Sequence, residues 1–235
     1  NVKAKDFRWV MDFNLAHNKS KINRLNVRDD SYEPSREGYS VGAVFSLKTA
    51  GLDENGLQMF YNKQGEKVSF NDFFGLEYGY MMGGLIPFLK SNLSAEEYRN
   101  LFTYEGTTEP KFTGGWINRF YYKNFDLTVS ASFVLDQTVQ EQPFYNPVQT
   151  SPGQNYSRRM SQIWSPDNTS GKYPRIMGTY TEGEENWAYQ WLGMLDPGNS
   201  YRKYDYWFKK MSYMRINSIR LGYTFPERLL GHIGF

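Results

Sequence analysis

"NSIRLGYTF" (residues 217–225) decides how this chain is to be read. Ile219, Leu221, Tyr223 and Phe225 fall on one side, and Ser218, Arg220, Gly222 and Thr224 on the other. That is the two-residue period of a β-strand with one apolar and one polar face. A half-buried strand of a soluble protein shows this period, and so does a strand in the wall of a membrane barrel. The rest of the chain has to separate the two.

Composition sets the outer limits. A chain of 235 residues is long enough for one full core, or for two small ones. A mean hydropathy of -0.68 and 22% charged residues exclude a bundle of transmembrane helices. They do not exclude a β-barrel, whose strands give only alternate residues to lipid. Aromatic content is 18%, which suits β structure, sugar- or peptide-binding surfaces and membrane-interface girdles. A net charge of +2 gives no support to nucleic-acid binding, and the absence of Cys excludes disulfides and thiolate chemistry. The opening "NVKAKDFRWV" has no initiator Met, basic n-region or apolar h-region, and an alternating run begins at residue 7. The expectation is a piece of a longer protein.

Other strands repeat the pattern. "FRWVMDFNLAH" (7–17) places Phe7, Trp9, Met11, Phe13, Leu15 and His17 on one face. "YSVGAVFSL" (39–47) alternates likewise, and "FDLTVSASFVL" (125–135) sets Phe125, Leu127, Val129, Ala131, Phe133 and Leu135 against Asp, Thr, Ser and Val. "GGWINRFYY" (114–122) precedes the last of these across the two residues Lys123-Asn124, a hairpin signal in which Asn tolerates a positive φ. Connections alternate between this two-residue turn and stretches of about twenty, sixty and seventy residues, which counts against a simple sandwich. Short turns at one end and long loops at the other mark an outer-membrane barrel. Eleven tilted residues span about 25 Å, the height of a lipid-facing band. The residues favour a barrel over a soluble β-protein.

Four stretches in order carry a family resemblance: "VGAVFSLKTAGLDENGLQMFYNKQG" (41–65), "GTTEPKFTGGWINRFYYKNFDLTVSASF" (106–133), "KYPRI" (172–176) and "YWFKKMSYMRINSIRLGYTFPERLL" (206–230). Together they resemble the C-terminal barrel of the SusC/RagA-type TonB-linked outer-membrane transporters. The resemblance implies an all-β fold, a section of a large antiparallel transmembrane barrel of 22 strands around a plug. About five main spanning strands are expected, with extracellular loops near 53–112 and 137–206. It also implies a SusD-like surface lipoprotein, energy from TonB through an N-terminal part outside this chain, and import of oligosaccharides or oligopeptides. Residues 1–235 then correspond to part of the barrel domain, without plug, N-terminal extension or final strands, and Pro226 begins a periplasmic turn. Phe13, Leu127, Val129, Phe133, Ile219, Leu221 and Tyr223 are the expected lipid-facing side chains. The rival classes are a soluble aromatic-rich glycan-binding β-domain and a passive porin.

Sharper motifs give way to plainer readings. "GYSVG" (38–42) matches a nucleophile-elbow pattern, but Ser40 opens an alternating run, and the two histidines, His17 and His232, are expected near periplasmic turns. "LDENG" (52–56) reads as a turn and "GEEN" (183–186) as a solvated charge cluster, so no catalysis, metal or cofactor is expected. "NLSAEEYRNLF" carries a capping box, Ser94 with Glu97, and predicts a short helix inside the first loop. The N-x-S/T triplets at Asn18, Asn92, Asn155 and Asn168 carry no weight in a bacterial protein. Function is expected in the second loop, whose Tyr145, Tyr156, Arg158, Arg159, Trp164, Trp187, Tyr189 and Trp191 are candidates to touch substrate or partner, with Tyr173, Arg175 and Tyr180 nearby.

Overall fold

A computed structural model describes residues 1–81, 86–151, 153–177, 183–226 and 231. The chain forms two compact units. One combines Asn1–Ser20, Thr107–Thr138 and Lys210–Phe235, and the other Lys21–Gly106 and Val139–Lys209.

The first unit is a five-stranded sheet in the spatial order Val2–Ala4, Phe7–His17, Phe112–Tyr122, Phe125–Gln140, Phe208–Tyr223. Phe7–His17 and Phe125–Gln140 flank Phe112–Tyr122 antiparallel, in registers that pair Trp9 with Phe120 and Phe120 with Leu127. Because directly paired residues share a face, the alternation read from single strands extends across the sheet. Trp9 stacks on Phe120, Phe13 on Phe133, and Phe125 packs against Tyr223. Gly114 makes room for this face: a Cβ there would meet Asn14 O and the Phe133 ring, which lies over the glycine.

Two-residue turns, Lys5-Asp6 and Lys123-Asn124, close the same end of the sheet, where Phe7 pairs with Tyr122. The positive φ falls on Lys123 (51°) rather than on Asn124. Asn124 serves the turn differently: its Nδ2 donates to Thr224 O and its carbonyl accepts from Thr224 N, both at 2.8 Å. His17 corrects an expectation. It pairs with Phe112 at the far end from these turns, where its ring lies 4.9 Å from that of Phe112. His232 lies outside the described residues.

The alternation in the last strand slips by one residue. Met214 and Ile216 are exposed apolar residues on even positions, and Ile219, Leu221 and Tyr223 on odd ones. At the junction Ser218 shares a hydrogen bond with Ser130 (2.8 Å), and Ser132 donates to Asn217 (3.2 Å). Two consecutive polar residues thus reach serines of one face, the kind of slip a β-bulge makes, and the apolar face continues beyond it.

Among its described residues this unit buries only Ala131 and Thr138. Phe13 is 57% exposed, Ile219 66% and Leu221 72%. A sheet with an apolar face this bare has no hydrophobic core of its own. Among the described residues no helix is long and apolar enough to cross a membrane.

The second unit holds the core. Ala43–Ser46 pairs with Thr103–Thr107, Thr49–Leu52 with Gln58–Tyr61 and then Lys67–Val68, and Leu76–Met81 with Ile86–Ser91. Short helices cover Phe70–Phe74, Ala95–Arg99 and Glu184–Gln190. Phe60, Phe74, Tyr98, Tyr204 and Trp207 are almost completely buried at its centre. Phe60 and Phe73 stack with ring centroids 4.2 Å apart. The Ser94–Glu97 capping box is formed as the sequence predicts.

This unit corrects one expectation. The run 39–47 is not a spanning strand: only Ala43–Ser46 is extended, Ala43 is buried, and Leu47 is fully buried in the core of this unit. Residues 21–106 and 139–209 contribute to one aromatic core.

Candidate functional site

The face of the sheet opposite the aromatics carries most of its polar side chains. Asp12, Asn14, Thr113, Ser130, Ser132 and Asn217 line an open hollow of about 750 Å³ together with apolar neighbours such as Ala16, Ile117 and Val134. Charges on this face are paired. Arg119 bonds Asp12, Arg220 lies 3.7 Å from Asp126, and the Arg8 guanidinium sits over the Tyr121 ring at 5.3 Å. Hydroxyls, amides and compensated charges make a surface that stays wetted and offers many weak hydrogen bonds.

On the other face one polar residue interrupts the apolar band. Asn118 lies between Met11 and Val129 in register, and its Oδ1 accepts from Trp9 Nε1 at 3.0 Å. The bond satisfies both groups and leaves the indole ring flat against Phe120.

The eight loop candidates separate by burial. Tyr145, Trp164 and Trp191 are buried side chains, so none presents a ring to solvent. Tyr145 donates its hydroxyl to Pro174 O at 2.9 Å, and burial raises its pKa. Arg159 is also used internally. Its guanidinium lies 4.5 Å from the Phe144 centroid and near Tyr173 and Trp207, donates to the Tyr173 hydroxyl at 2.6 Å, and pairs with Glu141. The Tyr173 hydroxyl and the carboxylate hold its charge, and Lys209 and Arg159 together keep Glu141 below the usual carboxylate range. Trp187 is half-buried, edge-on to Tyr78 at 4.5 Å, and Tyr189 packs partly against the core. Tyr156 and Arg158 are exposed, with the Tyr156 hydroxyl tied to Ser151. Tyr180 lies outside the described residues.

The remaining motifs resolve as local structure. Ser40 is followed by a turn and the strand Ala43–Ser46, so it occupies no strand-to-helix elbow. Asp53 accepts from the amides of Asn55 (2.9 Å) and Leu57 (2.8 Å), closing the turn between two strands. Arg175 stacks over Trp164 and pairs with Glu185. Partial burial, with Asp53 and Asp72 nearby, raises the Glu184 carboxyl.

The sequence shows the polar side chains of the sheet as one face of alternating strands but does not single them out as site residues. Nor does it single out Met194 and Leu195, exposed at the end of the helical stretch that holds Trp191.

No protein-family model matches the chain. Over its whole length it is 26% identical to a TonB-dependent receptor, "TonB-dependent receptor P3", from Formosa agariphila, of which the alignment covers 21%. Its fold matches a chain in a structure of the RagAB peptide importer in a "closed-closed" state, with a TM-score of 0.61 at 17% identity over 98% of this chain and 22% of the other. In sequence and in fold the chain is similar to a section of a TonB-dependent receptor. It spans about a fifth of the length of each relative. The five-stranded sheet is antiparallel and open at both edges, and the described residues form no closed barrel. The relatives are described as a TonB-dependent receptor and a peptide importer.

Proposed function

We propose that this chain is part of the barrel of an outer-membrane, TonB-energised importer of oligosaccharides or oligopeptides that works with a SusD-like surface lipoprotein. One observation carries the reading: a sheet with no core of its own, aromatic and exposed on one face, and bearing its paired charges and hydroxyls on the other. Lipid against the first face and water against the second satisfy both, whereas a soluble domain would leave that apolar face in water. On this reading Phe13, Leu127, Val129, Phe133, Ile219, Leu221 and Tyr223 face lipid. The whole-length likeness to a TonB-dependent receptor supports energy coupling over passive diffusion. The likeness to a peptide importer supports the fold, and both cargo classes stay within the proposal.

The test uses the intact receptor in its native cell. It should fractionate with outer membranes, need detergent for extraction, and lose uptake of glycan or peptide oligomers when TonB is deleted. Recovery as a soluble monomer would establish the glycan-binding alternative. Uptake that persists without TonB would establish the porin.

A further inference from the structure

The polar face of the five-stranded sheet is not uniform in charge. On the first rung of this face, counted from the turns, Lys3 pairs with Arg8, Arg8 with Tyr121 and Tyr121 with Asp126, and directly paired residues share a face. On the next rung of the same face Val10 pairs with Arg119 and Arg119 with Thr128. Arg220 joins them from the last strand. It lies 3.7 Å from Asp126, whose carboxylate occupies the space a Cβ of Gly222 would take. Four basic side chains, Lys3, Arg8, Arg119 and Arg220, thus stand on two rungs that carry one aspartate. A second acid, Asp12 on the rung beyond, is bonded to Arg119. Arg8 has a ring for its neighbour, with its guanidinium 5.3 Å from the Tyr121 centroid. Two positive charges are therefore in excess at the turn end of the face. Farther from the turns the face continues with Ser130, Ser132 and Asn14, which carry no charge.

We propose that this basic belt is a contact site for acidic peptides carried as cargo by the intact receptor; the inference rests on the reading of the chain as part of an importer. Cations fixed on a sheet focus their field on a passing anion, and a guanidinium takes a carboxylate through two parallel hydrogen bonds. Successive rungs on one face lie about 6.6 Å apart, which is also the spacing of alternate side chains in an extended peptide. A peptide with acidic residues at every second position sets its carboxylates at the pitch of the belt. Sugar acids carry the same charge, but sugars are held by laying a ring face on an aromatic one. Among the described residues of these two rungs the one aromatic side chain is Tyr121, and the Arg8 guanidinium lies over it. The belt has charge to offer and no free ring.

The test measures receptor-dependent uptake, in the native cell, of two labelled peptides of equal length, one with Glu at alternate positions and one with Gln there. Uptake of the Glu peptide should exceed that of the Gln peptide, and Lys3→Gln with Arg8→Gln should lower the ratio about threefold or more. Lys3→Arg with Arg8→Lys keeps the charge and should keep most of the ratio, which separates loss of charge from loss of structure. Equal uptake of the two peptides, or a ratio unchanged by the Gln double variant, overturns the belt and leaves the importer reading in place. A ratio that falls as far in the charge-keeping variant overturns it as well. Uptake confined to glycan oligomers, acidic or neutral, overturns the assignment to peptides. Uptake of no oligomer at all, with TonB present, sinks the importer reading and the belt with it.

Discussion

Arg159 shows how a residue suited to ligand recognition is used up by the fold. A guanidinium packed among Phe144, Tyr173 and Trp207 and bonded to Glu141 and the Tyr173 hydroxyl is held in place by the fold rather than presented to a cargo. The same holds for Trp191, whose ring packs against Phe74 at 5.7 Å. Trp191→Ala should therefore destabilise the second unit, by about 3–5 kcal/mol for a buried tryptophan, read as a lower thermal midpoint and earlier proteolysis. Trp187→Ala should cost less, since that ring is only half-buried. Equal, small effects would return Trp191 to the list of contact residues. Glu184 provides the electrostatic counterpart. Its pKa is raised by partial burial and by Asp53 and Asp72, so its ionised form opposes folding. The sign follows from linkage: the favourable contribution is complete below the unfolded pKa and is lost as pH rises through the raised folded value. Glu184→Gln should raise the thermal midpoint at neutral pH and flatten its fall as pH rises above the ordinary glutamate pKa of about 4.3. A midpoint lowered at pH 7 would show that the carboxylate is stabilising.

For a strand, what matters is which face a residue occupies. Leu127 and Thr128 are neighbours in sequence on opposite faces of one strand. If the aromatic face meets lipid, Leu127→Arg should cost about 2–4 kcal/mol near the bilayer midplane, while Thr128→Arg, beside the wetted hollow, should cost little. Folding equilibria in vesicles measure both, and equal costs would mean that the faces do not differ in environment. This two-residue period is the part of the fold that was legible in the sequence. Residues 7–17, 114–122, 125–135 and 217–223 are strands in the structure, because alternation over some ten residues has few other uses. The run 39–47 alternates too, yet it supplies Ala43 and Leu47 to the second unit. A short alternating stretch satisfies a buried edge as well as a membrane wall, so period alone does not tell them apart. The aromatic core was visible as composition but not as a core. Its members come from two connections far apart in the chain, and no local spacing links Phe60 to Tyr204, whose rings lie 5.2 Å apart.

For the whole molecule, the question is what the second unit offers to a partner once its aromatics are accounted for. Interface energy concentrates in side chains that are exposed when free and buried when bound. Tyr145, Trp164 and Trp191 do not qualify. Met194, 73% exposed, and Leu195, 42% exposed, do qualify, as do Tyr156 and Arg158. If a surface lipoprotein docks on the 137–206 region, the apolar pair is the better anchor, because desolvating two aliphatic side chains carries no unpaired-charge penalty. The expected result is that Met194→Asp with Leu195→Asp lowers co-purification of the lipoprotein with the detergent-extracted receptor at least tenfold. Receptor abundance in the outer membrane should not change, since neither side chain belongs to the core. Tyr156→Ala with Arg158→Ala should leave the lipoprotein bound, and any loss of uptake in that variant would assign those two residues to the cargo. Undiminished co-purification from the Met194–Leu195 double variant would remove this patch from the interface and direct attention to the 21–106 connection.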